Sequence, residues 1–191
     1  LFELRLLKYV EKQRGNELER QRMTKAMIRC ARKADRIITS STAVAQDLTQ
    51  TLGVHPDRID RIPLGVRKPS LDNPTPEDEL RKKHALKPGP IILSIAQKKT
   101  YKNLACLVKA LSDIDERSVQ LVLPGEHTPY ETELKKLARE LHVIDRVSFP
   151  DWVSEQDLEG FYSAAGCMVL PSFIEGFGLP ILEAMTRGVP I

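Results

Sequence analysis

The chain has 191 residues, 41% hydrophobic and 29% charged, with a formal net charge of +3. That length gives one full domain with a sizeable core, or one domain plus part of another. No apolar run reaches about 18 residues, which excludes a membrane-spanning helix. Cys30, Cys106 and Cys167 are too few and scattered for a disulfide framework, so they read as buried small hydrophobes in a reducing compartment.

Residues 1–40 carry eleven Lys or Arg against five acids. Such a face could approach a membrane surface or a nucleic acid. A solvated helix face explains it more simply, and no aromatic interleaving or zinc spacing supports nucleic-acid binding. The opening residues, Leu1 to Arg5, lack a signal-peptide layout. The chain opens in mid-helix pattern and stops at Val189-Pro190-Ile191, the apparent start of a strand. The expectation is an internal fragment of a longer protein.

Residues 1–34 have a helical pattern, broken at Gly15-Asn16, with Leu18, Met23, Ala26, Met27 and Cys30 as an imperfect apolar stripe. A short strand is predicted over 36–40. Ser40, Ser41 and Thr42 are candidate caps for the next helix, which Gly53 ends. Another short strand covers 59–63. Proline then breaks the chain at 69, 74 and 76. Thr75 reads as the cap of a helix beginning at Pro76, and Pro88-Gly89-Pro90 as its stop.

From residue 91 strands alternate with helices. Strands are predicted over 91–96, 119–123, 147–149 and 167–170. Helices fall over 103–111, 129–141, 154–165 and 179–186. The third opens on the box Ser154-Glu155-Gln156-Asp157, and Gly188 closes the fourth. This alternation predicts a parallel α/β sheet, and the continuous apolar strands predict helices on both faces.

Parallel strands present their carboxyl ends at one edge, so the loops 96–102, 124–128, 150–153 and 171–178 are expected to line one crevice. They hold Gln97, Lys98, Lys99, Lys102, Gly125, Glu126, His127, Asp151, Trp152, Glu175, Gly176, Phe177 and Gly178. Lysines and helix N–H groups suit phosphate, and a carboxylate suits sugar hydroxyls. The residues therefore point to a sugar phosphate or nucleotide, against the alternative of ordinary surface loops. No metal-ligand spacing, GxGxxG or P-loop is present.

The run Glu175-Gly176-Phe177-Gly178-Leu179-Pro180-Ile181-Leu182-Glu183-Ala184-Met185, followed by Gly188-Val189-Pro190-Ile191, resembles the signature of the retaining GT-B glycosyltransferases of group 1 (family 4). Supporting matches are Ala34 to Ser41, Ile62 to Val66, Lys102-Asn103-Leu104 and Val153 to Leu158. The resemblance implies two Rossmann-like domains, incomplete at both ends. Residues 1–66 would be the C-terminal part of the first, 67–89 a linker and helix, and 90–191 a truncated sugar-nucleotide-binding domain.

The resemblance also implies transfer of a sugar from a nucleotide-sugar donor to an acceptor hydroxyl with retention, without metal or other cofactor. Glu175 and Lys102 would be the catalytic residues. Glu175 would contact donor-sugar hydroxyls and Lys102 would neutralise the diphosphate. Glu183 would contact the ribose, and Gly176, Phe177, Gly178 and Leu179 the sugar and diphosphate. Gln97, Gly125 and Trp152 complete the donor-binding set. Ala96-Gln97 stands where the family has Gly-Arg, with Lys98 or Lys99 as stand-ins for the missing arginine. Asp151 replaces a family glycine. The implied acceptor is a carbohydrate or a lipid-linked acceptor, reached by a cytoplasmic protein that can associate peripherally with the inner face of the membrane, with no nucleic-acid partner. The alternatives are a catalytically impaired homologue acting as a binding or regulatory subunit, and a retaining phosphorylase or non-hydrolysing epimerase on the same fold.

Overall fold

A computed structural model describes residues 17–66 and 73–191. The expected break at Gly15-Asn16 and residues 67–72 lie outside them. Two compact units divide the chain. The first is Leu1–Gly65 with Ile174–Gly178, and the second is Val66–Phe173 with Leu179–Ile191.

In the first unit, α1 (Glu17–Lys33), β1 (Ile37–Thr39), α2 (Thr42–Leu52) and β2 (Ile59–Arg61) follow one another, and the two strands pair in parallel. The caps of α2 match the expectation. The Ser41 hydroxyl accepts from the Val44 N–H at 3.3 Å, and Gly53 closes the helix in the left-handed conformation at φ 66°, which penalises any residue bearing a Cβ. Ala31, Ile37, Val44, Leu48 and Val54 form the core, with Met27 packed against it. The spacing from Met27 to Ala31 sets the buried face of α1. Cys30 falls off that face and is exposed, which corrects its reading as a buried hydrophobe. Arg58 closes α1 by donating to the carbonyls of Ala31, Ala34 and Asp35.

The second unit runs α3 (Glu77–Lys83), β3 (Ile91–Leu93), α4 (Leu104–Asp113), β4 (Gln120–Val122), α5 (Pro129–Glu140), β5 (Val147–Ser148), α6 (Glu155–Ala164), β6 (Ala165–Met168) and α7 (Leu179–Thr186). Its sheet has the order β5-β4-β3-β6, and every pair is parallel. Strand periodicity sends alternate residues to opposite faces. Ile91, Leu93 and Val122 join Leu80, Phe161, Tyr162, Met168 and Ala184 on one face. Leu121 and Leu123 join Leu104, Val108, Leu111, Leu134 and Ala138 on the other. Each of the leucines buried there contributes roughly 1.5–3 kcal/mol.

Two local expectations are corrected. Thr75 does not cap α3. Its hydroxyl donates to Asp157 Oδ1 at 2.7 Å, its N–H donates to Gln156 O, and Pro76 takes the N-cap position. Asp157 wins the competition because it is buried and gathers Lys83 as well, at 2.6 Å. Burial works against its carboxylate, yet the hydrogen bonds from Lys83 and Thr75 hold it below the usual range. The second correction concerns the strand predicted over 167–170, which begins at Ala165. α6 runs directly into it, and the register skips Gly166, so Ile91 pairs with Ala165 and Ile92 with Cys167. Its extension is real at the backbone level, since the Val169 N–H donates to Leu93 O at 2.8 Å. The last residues run beside the same strand, with the Met168 N–H donating to Pro190 O at 2.8 Å.

Candidate functional site

The carboxyl edge of the second unit's sheet is built by loops that are tied to one another. The Gly125 N–H after β4 donates to Pro150 O and Asp151 O after β5. Lys98 Nζ after β3 donates to Gly125 O. The Phe173 N–H after β6 donates to Tyr101 O, and Asn103 Nδ2 donates to Pro171 O at 3.2 Å. Gly125 stands at φ 131°, and a Cβ there would lie 3.6 Å from Ala96 O; its backbone, more than the space around it, favours glycine. The structure therefore brings Gln97, Lys102, Gly125 and Trp152 to one edge through bonds between their loops.

Lys102 ends a 3-10 turn, Thr100–Lys102. Asn103 then adopts the left-handed conformation at φ 54° and starts α4, a conformation that asparagine tolerates. Lys102 Nζ lies 5.3 Å from the centroid of the Tyr101 ring, which is buried. Trp152 is 86% exposed and presents a free ring face. Gln97 and Lys99 are also exposed.

Lys98 behaves differently from the expectation. It is 1% exposed, and its ammonium lies 2.9 Å from Glu131 Oε2. It points into the loop scaffold, so of the two suggested stand-ins for an arginine at position 97 only Lys99 remains at the surface. Glu131 was not anticipated as a structural residue. It sits in the first turn of α5, buried, and also receives Lys135 at 2.6 Å and pairs with His127 Nδ1 at 3.0 Å. The spacing Thr128 to Glu131 suggests a capping box, but Thr128 spends its hydroxyl on Lys98 O at 2.6 Å. Burial alone would raise the Glu131 carboxyl, but hydrogen bonds from Lys135, Lys98 and His127 carry it down from 4.5 to about 2.

A depressed folded pKa adds stability that is complete above about pH 4.5 and is lost as pH falls toward about 2. In denaturant titrations Glu131→Gln is therefore expected to be less stable than wild type at neutral pH. That gap should narrow by up to about 3 kcal/mol between pH 5 and pH 2. A gap that stays constant over that window would refute the assignment.

Glu183 lies in the second turn of α7, half-buried. Tyr162 OH donates to its Oε2 at 2.9 Å. Glu175, Gly176, Phe177 and Gly178 occupy the stretch between β6 and α7 that belongs to the first unit, each of them half-buried. Gly178, immediately before α7, has φ 80°, and Leu179 is the first residue of the helix. Among the described residues no group of three or more His, Cys, Asp or Glu could hold a metal ion, and no helix is long and apolar enough to cross a membrane.

Comparison with known proteins extends these observations. The profile of the glycosyl transferases group 1 matches residues 76–191, and that of glycosyltransferase family 4 matches residues 7–68. The D-inositol 3-phosphate glycosyltransferase of Xylanimonas cellulosilytica is 33% identical over 167 residues, covering 83% of this chain and 40% of the relative. The MMP alpha-(1->4)-mannosyltransferase of Mycolicibacterium hassiacum is 32% identical over 165 residues, covering 85% and 38%. This chain thus spans about two fifths of the length of these relatives. Among solved structures, HepE of Anabaena in complex with UDP and glucose superposes with a TM-score of 0.75 at 22% identity, over 87% of this chain and 46% of that one. Sucrose-phosphate synthase of Thermosynechococcus elongatus gives 0.71 at 26% identity, over 95% and 46%. The fold is α/β, Rossmann-like and of the GT-B type, with parallel sheets.

Proposed function

The chain belongs to the glycosyl transferases group 1 family, and from that premise we propose that it carries the donor-binding part of a glycosyltransferase that retains anomeric configuration. The observation that carries this reading is the segment from Glu175 to Glu183. It leads out of β6, at the edge where the other three loops are tied together, and into α7. A nucleotide-sugar donor lies with its diphosphate toward Lys102 and the free N–H groups of the first turn of α7. Glu175 holds the donor-sugar hydroxyls and Glu183 the ribose, while Gly176, Phe177, Gly178 and Leu179 line the sugar and diphosphate. Trp152, Gly125 and Gln97 border the nucleoside side.

In this mechanism Lys102 offsets the charge that grows on the diphosphate as the glycosidic bond breaks. The departing phosphate then assists the acceptor hydroxyl from the same face, which keeps the configuration. Residues 1–66 belong to the acceptor-side domain, 67–89 to the linker and 90–191 to the donor domain. The acceptor is a carbohydrate or a lipid-linked acceptor, met in the cytoplasm or at the inner face of the membrane during carbohydrate biosynthesis.

The test is a calorimetric screen of the full chain with UDP-, GDP- and ADP-sugars, followed by NMR of the anomeric proton in the transferred sugar. One donor is expected to bind in the micromolar range, and the product should keep the donor's configuration. A product of the opposite configuration overturns retention. One observation favours the second reading, an impaired homologue that binds a partner: with Gln97 in the arginine position, Lys98 is committed to Glu131. Absence of binding by every donor would support it.

A further inference from the structure

Tyr162 is 1% exposed and lies in α6, on the apolar face shared with Leu80, Phe161, Met168 and Ala184. Among the described residues its hydroxyl has one partner, Glu183 Oε2, at 2.9 Å. Phenylalanine would fill the same volume among these neighbours, so packing alone does not explain the oxygen. The ring is fixed from its other side. The guanidinium carbon of Arg187 lies 4.6 Å from the ring centroid. Arg187 is in turn held by both carboxylate oxygens of Glu159, with Nε to Oε2 at 2.7 Å, and it donates to Glu183 O at 2.8 Å.

Glu159 and Tyr162 are three apart on α6, and Glu183 and Arg187 are four apart at the end of α7. The four groups close a ring that joins the two helices at fixed spacing. Burial, and then the Glu183 carboxylate, push the Tyr162 phenol up, so it stays protonated and donates. Glu183 Oε1 receives no hydrogen bond from the described residues, and the side chain stays half-buried. One oxygen is thus anchored while the other remains an acceptor.

We propose that Tyr162 is the positioning residue of Glu183, fixing the carboxylate so that its open oxygen accepts from the vicinal hydroxyls of a nucleoside ribose. The proposal rests on the reading of Glu183 as the ribose contact. It adds that discrimination between ribose and deoxyribose depends on a residue that does not itself touch the donor. Removal of the phenol oxygen leaves the carboxylate free to rotate, so ordering it becomes part of the cost of binding.

The test uses the full chain and the nucleoside diphosphate it binds most tightly among UDP, GDP and ADP, with the 2′-deoxy and 3′-deoxy counterparts. Wild type is expected to lose roughly tenfold in affinity when one of these hydroxyls is removed. Tyr162→Phe should raise the donor KM about five- to tenfold with kcat within about twofold, and should shrink the deoxy penalty to about twofold. Glu183→Ala should abolish the penalty. If Glu183→Ala abolishes it and Tyr162→Phe preserves it, the positioning role falls and the ribose reading stands. If Glu183→Ala leaves the penalty intact, the ribose reading falls and the positioning role falls with it. Should Tyr162→Phe fail to fold, Tyr162→Met removes the same oxygen while keeping a flexible apolar side chain in the core. A smaller deoxy penalty in that variant supports the proposal, and an unchanged one overturns it.

Discussion

Glu175→Ala is expected to lower kcat/KM by about a thousandfold, with most of the loss in kcat. On the proposed reading the carboxylate would meet the donor sugar, whose ring gains positive character as its bond to phosphate breaks, so the interaction would strengthen toward the transition state. Binding of the bare nucleoside diphosphate should change by no more than about twofold, because that ligand has no sugar for Glu175 to hold. Lys102→Ala should separate from it in kind. On the same reading the ammonium would meet the diphosphate in the ground state and more strongly in the transition state, so nucleoside diphosphate affinity and kcat should both fall, each by roughly tenfold or more. Paired measurements on the full chain, calorimetry with the nucleoside diphosphate and initial rates with the sugar nucleotide, decide between the roles. Equal losses of diphosphate affinity in both variants would refute the division of labour. Full activity in Glu175→Ala would remove it from the site.

The strand–helix alternation from residue 91 onward was legible because each element carries its own signal. The run Ile91-Ile92-Leu93 is continuously apolar, and Leu134, Leu137, Ala138 and Leu141 mark one side of a helix. The start of β6 was hidden because Ala165 and Gly166 are weak strand formers, and pairing with Ile91 overrides that preference. Thr75 and Thr128 both stand where a cap is expected, and both give their hydroxyls to partners remote in sequence, Asp157 and Lys98. Local patterns name the donors available, and only tertiary packing decides who receives them. The same limit applies to the site. The segment from Glu175 to Glu183 was visible as a motif. The hydrogen bond from Tyr162 to Glu183 spans 21 residues, and nothing in the spacing of an aromatic on an apolar helix face announces it.

Arg146→Ala is expected to destabilise the second unit by about 3–5 kcal/mol while leaving donor affinity of the folded protein within about twofold. Arg146 is 4% exposed. Its guanidinium donates to Leu111 O and Val119 O at 3.1 Å, Ile114 O at 3.3 Å and Glu116 O at 3.0 Å. These carbonyls end α4 and lead into β4, so the guanidinium both satisfies the helix terminus and complements its dipole. Truncation leaves four carbonyl acceptors without this donor at once, the buried Leu111 O and three that are part-buried. Arg146→Lys should recover only part of the loss, because an ammonium cannot span the planar fork of contacts. The position predicts the functional silence. Arg146 precedes β5, as Val119 precedes β4, which puts the cluster at the amino edge of the sheet, opposite the loops that hold Lys102, Gly125 and Trp152. Urea titration and nucleoside diphosphate binding, measured on the same samples well below the unfolding midpoint, separate the two quantities. A loss under about 1 kcal/mol would show that water replaces the guanidinium. A large loss of affinity in protein that is still folded would show that the two edges of this sheet do not act independently.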